Sequence, residues 1–129
     1  MSKNLLDDKS GYIKYALMNC NPDNSSRQAN YAYKKLTDYY KAFEKDVPAA
    51  EAFLRPFIEK PDENYSVMGW ACAHAFGLGI LTDVAVEQLN AFLEEDKKGN
   101  LKTTEALFNS VSSGILLKRI NNGEKILFY

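Results

Sequence analysis

The sequence YSVMGWACAHAFGLGIL, residues 65–81, is the least polar stretch of the chain and holds its only tryptophan and its only histidine. Side chains at positions i, i+3, i+4, i+7 and i+11 form one helix face: Val67, Trp70, Ala71, His74 and Leu78. The flanking residues are also apolar, and a helix that is apolar nearly all round is buried on more than one side. The stretch therefore predicts a central buried helix, which Gly77 and Gly79 end because glycine readily adopts the left-handed cap conformation.

This apolar stretch is not predicted to cross a membrane, because a span needs about 20 mostly apolar residues. The run is shorter and is broken by His74 and three glycines. The N-terminal sequence MSKNLLDDKSGYIKYALMN contains acidic residues and no long apolar core, so no secretory signal is predicted. Cys20 and Cys72 lie far apart without CxxC spacing, which indicates reduced thiols in a cytoplasmic protein.

The composition indicates one globular domain that spans residues 1–129. Of the 129 residues, 46% are hydrophobic and 26% are charged, which is enough apolar material for a core without disulfides. The net charge of −1 does not provide the basic field of a typical nucleic-acid-binding protein.

Apolar periodicity predicts five further helices, so we expect an all-α fold of about six helices in antiparallel hairpins. Their predicted ranges are 3–18, 26–45, 49–58, 83–95 and 101–120. Ser25 or Ser26 is expected to cap the second helix and Thr82 the fifth. Pro48 suits the start of the third helix, whereas Pro56 is expected to bend or shorten it.

Two predictions concern packing. Phe57, Trp70, Leu89 and Val111 are expected to be buried together in the core. The C-terminal residues EKILFY, 124–129, are expected to pack against the body because they are so apolar.

The second predicted helix is rich in tyrosine, with Tyr31, Tyr33, Tyr39 and Tyr40. Their rings could pad the edge of the core while the hydroxyls reach water. They could instead form a partner surface, since tyrosine is enriched at interfaces. Tyr33 and Tyr40 are seven residues apart, which places them on one face of the helix.

The middle of the chain resembles a small bacterial HEAT-like helical-repeat family described as a domain of unknown function. The residues that carry the resemblance are ANYAYKKL at 29–36, FLRPFIEKPDENYSVMGWACAHA at 53–75 and AVEQLNAF at 85–92. The resemblance implies hairpins whose second helix begins after a Pro–Asp turn and which stack into a short α-solenoid. The chain departs from the family pattern at the Val-Arg pair, because Val67 is followed by Met68.

No catalytic, cofactor or metal site is predicted. His74 has no second histidine or cysteine cluster beside it, so a core histidine is favoured over a zinc ligand or a base. The sequence contains no GxSxG motif, Walker loop or GxGxxG motif. Adjacent carboxylates are read as solvated helix caps, since no partner residue indicates acid–base chemistry.

The function expected from these features is a non-enzymatic protein-binding module. The HEAT-like resemblance implies that it could be an immunity-type protein that neutralises a bacterial toxin domain. The predicted partner-binding residues are Tyr33, Tyr40, Glu59, Asp62 and Glu63, with tyrosines as anchors and carboxylates as an acidic rim. The alternative implied by the same resemblance is a nucleic-acid-binding protein or a glycosylase-like enzyme with a basic, aromatic groove.

Overall fold

The computed structural model describes residues 5–21, 23–60, 65–99, 104–126 and 128, and over residues 104–112 it describes the backbone alone. A short 3-10 turn, Leu5–Asp7, precedes six α-helices. These are α1 (Lys9–Cys20), α2 (Ser26–Lys45), α3 (Val47–Glu59), α4 (Tyr65–Leu78), α5 (Thr82–Lys97) and α6 (Thr104–Asn121). The described part of the chain contains no strand, which confirms the all-α prediction.

The first two helices begin at side-chain caps. Asp8 separates the 3-10 turn from α1 and accepts a hydrogen bond from the Gly11 amide at 3.0 Å, so the single helix predicted from residue 3 is divided. Ser25 accepts from the Gln28 amide at 3.2 Å, and the Gln28 carboxamide accepts from the Ser25 amide at 3.0 Å. This reciprocal capping box fixes the start of α2 at the predicted position.

The third helix begins two residues earlier and ends one residue later than the predicted range 49–58. Asp46 caps α3 by accepting from the Ala49 amide at 3.2 Å, and Pro48 lies in the first turn. Pro56 was expected to bend or shorten α3, and it does not shorten the helix. Pro56 is exposed, and its carbonyl still accepts from the Lys60 amide at 2.9 Å, so the helix extends to Glu59. Proline removes its own N–H donor but leaves its carbonyl available.

The connection from α4 to α5 is a tight left-handed turn. Gly79 has a φ of 73°, and the Ile80 amide donates to the Ala75 carbonyl at 3.0 Å, as in a Schellman motif. This confirms Gly79 as the end of α4, whereas Gly77 lies inside the helix. The prediction that Thr82 caps α5 is wrong. Thr82 is its first helical residue, and the cap position is Leu81, with a φ of 52° and no side-chain hydrogen bond.

Helix α4 is the centre of the fold, since it packs against each of the other five helices. The pairs α1–α2, α3–α4 and α5–α6 also pack together, as expected for consecutive hairpins. Within the described residues, none of the helices is both long and apolar enough to cross a membrane.

The predicted core set is only partly correct. Leu89 is fully buried, but Trp70 and Phe57 are half-buried at the edge of the core. Val111 lies outside the side chains that the structure describes. The largest fully buried side chains among the described residues are instead Tyr12 of α1 and Tyr39 of α2.

Candidate functional site

The only histidine lies inside an aromatic cluster that is closed to solvent. His74 is 0% exposed, and its Nδ1 lies 2.7 Å from the hydroxyl of Tyr12, which is also fully buried. Ring centroids 4.9–5.7 Å away surround the imidazole: Phe128, Tyr40, Trp70, Phe43 and Tyr12. Its Nε2 has no hydrogen-bond partner among the described residues. His74 is therefore the core histidine that was expected, with one of its two nitrogens satisfied.

Burial controls the chemistry of this cluster. Desolvation lowers the pKa of His74 to about 3, because the charged imidazolium would have no water around it. Desolvation also raises the pKa of the Tyr12 hydroxyl well above its usual value, with Cys72 and Tyr39 as smaller causes. Both groups are therefore neutral near pH 7, and both are fully buried.

A groove of about 370 Å³ lies next to this cluster, and it is open to solvent. One face of α4 forms its floor: Ser66, Gly69, Trp70 and Ala73. One wall comes from the second half of α6: Ser113, Ile115, Leu116 and Arg119. The rest of the lining comes from the end of α1, from α2 and from the C-terminal segment: Asn19, Cys20, Tyr33, Ile126 and Phe128. This volume is in the range of sites that hold small ligands or a few side chains.

The floor is wide because Gly69 has no side chain. Within the described residues, a Cβ added at Gly69 would meet no heavy atom within 4 Å. Ser66, Gly69, Trp70 and Ala73 follow i, i+3, i+4, i+7 spacing, so they share one helix face. Three of these four residues are small; Ser66 is fully buried, and Gly69, Trp70 and Ala73 are partly exposed at the groove.

Hydrogen bonds fix the aromatic side of the groove. The Trp70 Nε1–H donates to Asn19 Oδ1 at 3.2 Å, and Asn19 Nδ2 donates to the Ala29 carbonyl at 3.0 Å. The Tyr33 ring meets Trp70 edge to face at 5.7 Å. The indole is thus held between α1 and α2 in one orientation before any ligand arrives.

The C-terminal segment closes one end of the groove. The Tyr33 hydroxyl donates to the Phe128 carbonyl at 3.2 Å, and the Phe128 ring lies 4.5 Å from that of Tyr40. Ile126 is buried, and Phe128 is half-buried. The expectation that this apolar segment packs against the body is confirmed for these two residues.

The groove is apolar apart from a few polar groups, and Arg119 is the one charged side chain in its described lining. Arg119 Nε lies 3.6 Å from Glu124 Oε1, and both side chains are about half exposed, at 45% and 50%. Within the described residues, no cluster of three histidine, cysteine or carboxylate side chains could hold a metal ion.

The structure separates the five predicted partner-binding residues. Tyr33 is 38% exposed at the groove, but Tyr40 is only 5% exposed, so its prediction as an accessible anchor is wrong. The two residues do share a helix face, as their spacing requires, but Phe128 covers that face at Tyr40. Glu59 is exposed on α3 and accepts from Arg55 at 2.8 Å. Asp62 and Glu63 lie outside the described residues.

Sequence reasoning named Tyr33 but missed the other residues that line the groove as parts of a site. Ile115 is 58% exposed, the largest exposure among the described large apolar side chains. Arg119 follows Ile115 by four residues, so the two share a helix face. That i, i+4 pairing was the available signal, together with the small residues at Gly69 and Ala73.

The chain was compared with family models, with curated proteins and with solved structures, and none of the three comparisons found a match.

Proposed function

We propose that this chain is a non-enzymatic protein-binding module that docks a partner at the groove beside α4. The observation that carries the proposal is an open apolar groove whose rim exposes Tyr33 and Ile115, at 38% and 58%. Exposed apolar surface beside a concave site is a common mark of protein interaction surfaces. Tyrosine at such a rim supplies a large contact area with little loss of rotamer entropy.

The preformed aromatic side supports this role. Trp70 is held by Asn19 and packed by Tyr33, so a partner would meet a fixed surface. Ordering few side chains on association leaves more of the contact energy as affinity. Tyr40 then acts indirectly, as the ring on which Phe128 rests.

The titratable side chains in and near the groove favour binding over catalysis. His74 is enclosed and neutral, and Cys20, at the edge of the groove, has no histidine next to it within the described lining. Glu59 is exposed on α3 and is not part of that lining, and we assign it, together with Asp62 and Glu63, to steering. Surface carboxylates chiefly raise the association rate with a basic partner, and salt weakens that effect.

Within this proposal, the partner is a bacterial toxin domain and the chain is a cytoplasmic immunity-type protein. The packed pairs α1–α2, α3–α4 and α5–α6 are compatible with a short HEAT-like stack of hairpins. A growth assay tests this directly, with the chain co-expressed beside the toxin module encoded by a neighbouring gene. Protection of growth supports the proposal, and growth arrest despite soluble expression of both chains contradicts it.

The binding face is tested by two variants and a matched control. Tyr33→Ala and Ile115→Asp should abolish capture of the partner, because both alter the rim of the groove. Tyr31→Ala should leave capture unchanged, since Tyr31 is 49% exposed on the same helix but lies outside the groove lining. Tyr33→Phe separates the ring from its hydrogen bond to Phe128. Equal capture by all four folded variants would exclude the groove as the interface.

One observation favours the nucleic-acid alternative. On the outer side of α1 and α2, Tyr15 meets Tyr31 edge to face at 6.0 Å, with Lys14 and Lys35 each 5.5 Å from one of these ring centroids. Aromatic and basic residues together bind single-stranded nucleic acid. Titration with oligothymidylate in low salt tests it, and affinity lost in Tyr31→Ala but retained in Tyr33→Ala would favour this alternative.

A further inference from the structure

The groove combines an apolar interior with a single cationic group at its edge. Ile115, Leu116 and Ile126 present aliphatic carbon, and Trp70 presents an aromatic ring. Arg119 is the only charged residue in the described lining. A ligand that matches this arrangement carries apolar groups and one negative charge.

The guanidinium of Arg119 is partly available for such a charge. Its described ion pair with Glu124 uses Nε at 3.6 Å, which is longer than a hydrogen-bonded pair. Within the described residues, its two Nη groups make no hydrogen bond. A planar guanidinium with two free N–H edges matches the geometry of a carboxylate better than an ammonium does.

We propose that the occupant of the groove is a segment of the partner that carries leucine-like side chains next to a carboxylate. The apolar side chains fill the space above Gly69 and Trp70, and the carboxylate pairs with Arg119. This inference rests on the proposed function, and it names the chemistry that the partner must present. Charge complementarity favours a carboxylate in this segment, because a basic segment would place a second cation beside Arg119.

The single tryptophan makes the groove directly observable. Trp70 is the only tryptophan in the chain and lines the groove, so its fluorescence reports occupancy without a label. The probe is the peptide acetyl-Ser-Leu-Leu-Glu-Ser-amide, which contains no aromatic residue. Matched peptides carry glutamine or lysine in place of glutamate. We expect a saturable change in Trp70 emission with the glutamate peptide, and binding at least about tenfold weaker with the other two, since hydrogen bonds to charged groups exceed the equivalent of a tenfold change.

Three variants locate the contacts. Arg119→Gln should weaken binding of the glutamate peptide at least about tenfold and leave binding of the glutamine peptide unchanged. Lys118→Gln is the matched control, because this neighbouring cation is exposed but does not line the groove, and its effect should stay below about twofold. Gly69→Leu should prevent binding of all three peptides by filling the floor, and circular dichroism confirms that each variant is folded.

The outcomes that overturn this inference differ from those that overturn the proposed function. Equal affinity for the glutamate and lysine peptides, or an unchanged affinity in Arg119→Gln, contradicts the carboxylate-bearing segment. A response to dodecanoate with none to any peptide contradicts it too, in favour of a small lipophilic anion. A toxin partner lost in Tyr33→Ala but bound normally by Arg119→Gln would leave the proposed function standing. Peptide binding without protection from the toxin would remove the immunity role instead.

Discussion

Helix α4 presents two neighbouring regions that differ in how completely they are filled. Around His74, aromatic rings from α1, α2, α3 and the C-terminal segment pack together and exclude water. Around Gly69, the same helix borders a groove of about 370 Å³. Trp70 belongs to both regions, since its ring lies 5.5 Å from His74 and also lines the groove.

The contrast shows that small residues on one helix serve opposite purposes. At Gly77, an added Cβ would lie 2.7 Å from the Tyr40 hydroxyl and 2.9 Å from the Phe128 ring, so the missing side chain permits close packing. At Gly69, an added Cβ would meet no described atom within 4 Å, so the missing side chain leaves space. Composition alone does not separate the two cases, because the neighbours that decide them come from distant parts of the chain.

The largest expected difference between the two regions is the loss of stability when alanine replaces an aromatic side chain. Tyr12→Ala should lower the free energy of unfolding by about 3–5 kcal/mol, because it empties the centre of the closed cluster. Trp70→Ala should cost clearly less, since Trp70 is half-buried and borders open space. Urea unfolding followed by circular dichroism measures both. Equal losses would mean that the groove side is packed as tightly as the cluster.

Overpacking should be the next largest effect. Gly77→Ala should destabilise the fold by about 1–3 kcal/mol, because the new methyl group displaces the Tyr40 and Phe128 rings. The displacement should also loosen the C-terminal segment, which limited proteolysis would detect as faster cleavage near the C-terminus. A neutral or stabilising Gly77→Ala would show that Phe128 does not rest against α4.

Lowering the pH from 7 to 5 should reduce the free energy of unfolding by about 2 kcal/mol through His74, which lies in the closed cluster. His74 has a pKa of about 3 when folded, below its ordinary value near 6.5. The unfolded chain therefore binds the additional proton, and stability falls as the pH drops from about 6.5 towards 3. Chemical unfolding at several pH values measures the slope. His74→Gln, which cannot titrate, should remove this part of it, and an unchanged slope in the variant would place the acid sensitivity elsewhere.

The sequence predicts the helices well because their signals are local. The capping pair Ser25 and Gln28 and the apolar stripe of α2 lie within one segment, and the predicted range 26–45 matches the helix. Tyr40 was mistaken for an anchor because its covering residue, Phe128, lies 88 positions away in the sequence. The groove was missed for the same reason, since α1, α2, α4, α6 and the C-terminal segment all contribute to it. Helix periodicity states which residues share a face, but not what covers that face.

The smallest expected effect is the change in stability when alanine replaces either of two glycines. Gly69→Ala and Gly114→Ala should each stabilise the chain by about 0.5–1 kcal/mol, because alanine loses less backbone entropy than glycine in a helix. Among the atoms that the structure describes, none lies within 4 Å of a Cβ added at either position, and of the two glycines Gly69 alone is in the described groove lining. Thermal unfolding should therefore show similar increases in Tm for the two variants. Trp70 emission should change only in Gly69→Ala, since its methyl group lies in the same groove as the indole. A destabilised Gly69→Ala variant beside a stabilised Gly114→Ala variant would show that the floor of the groove is already filled.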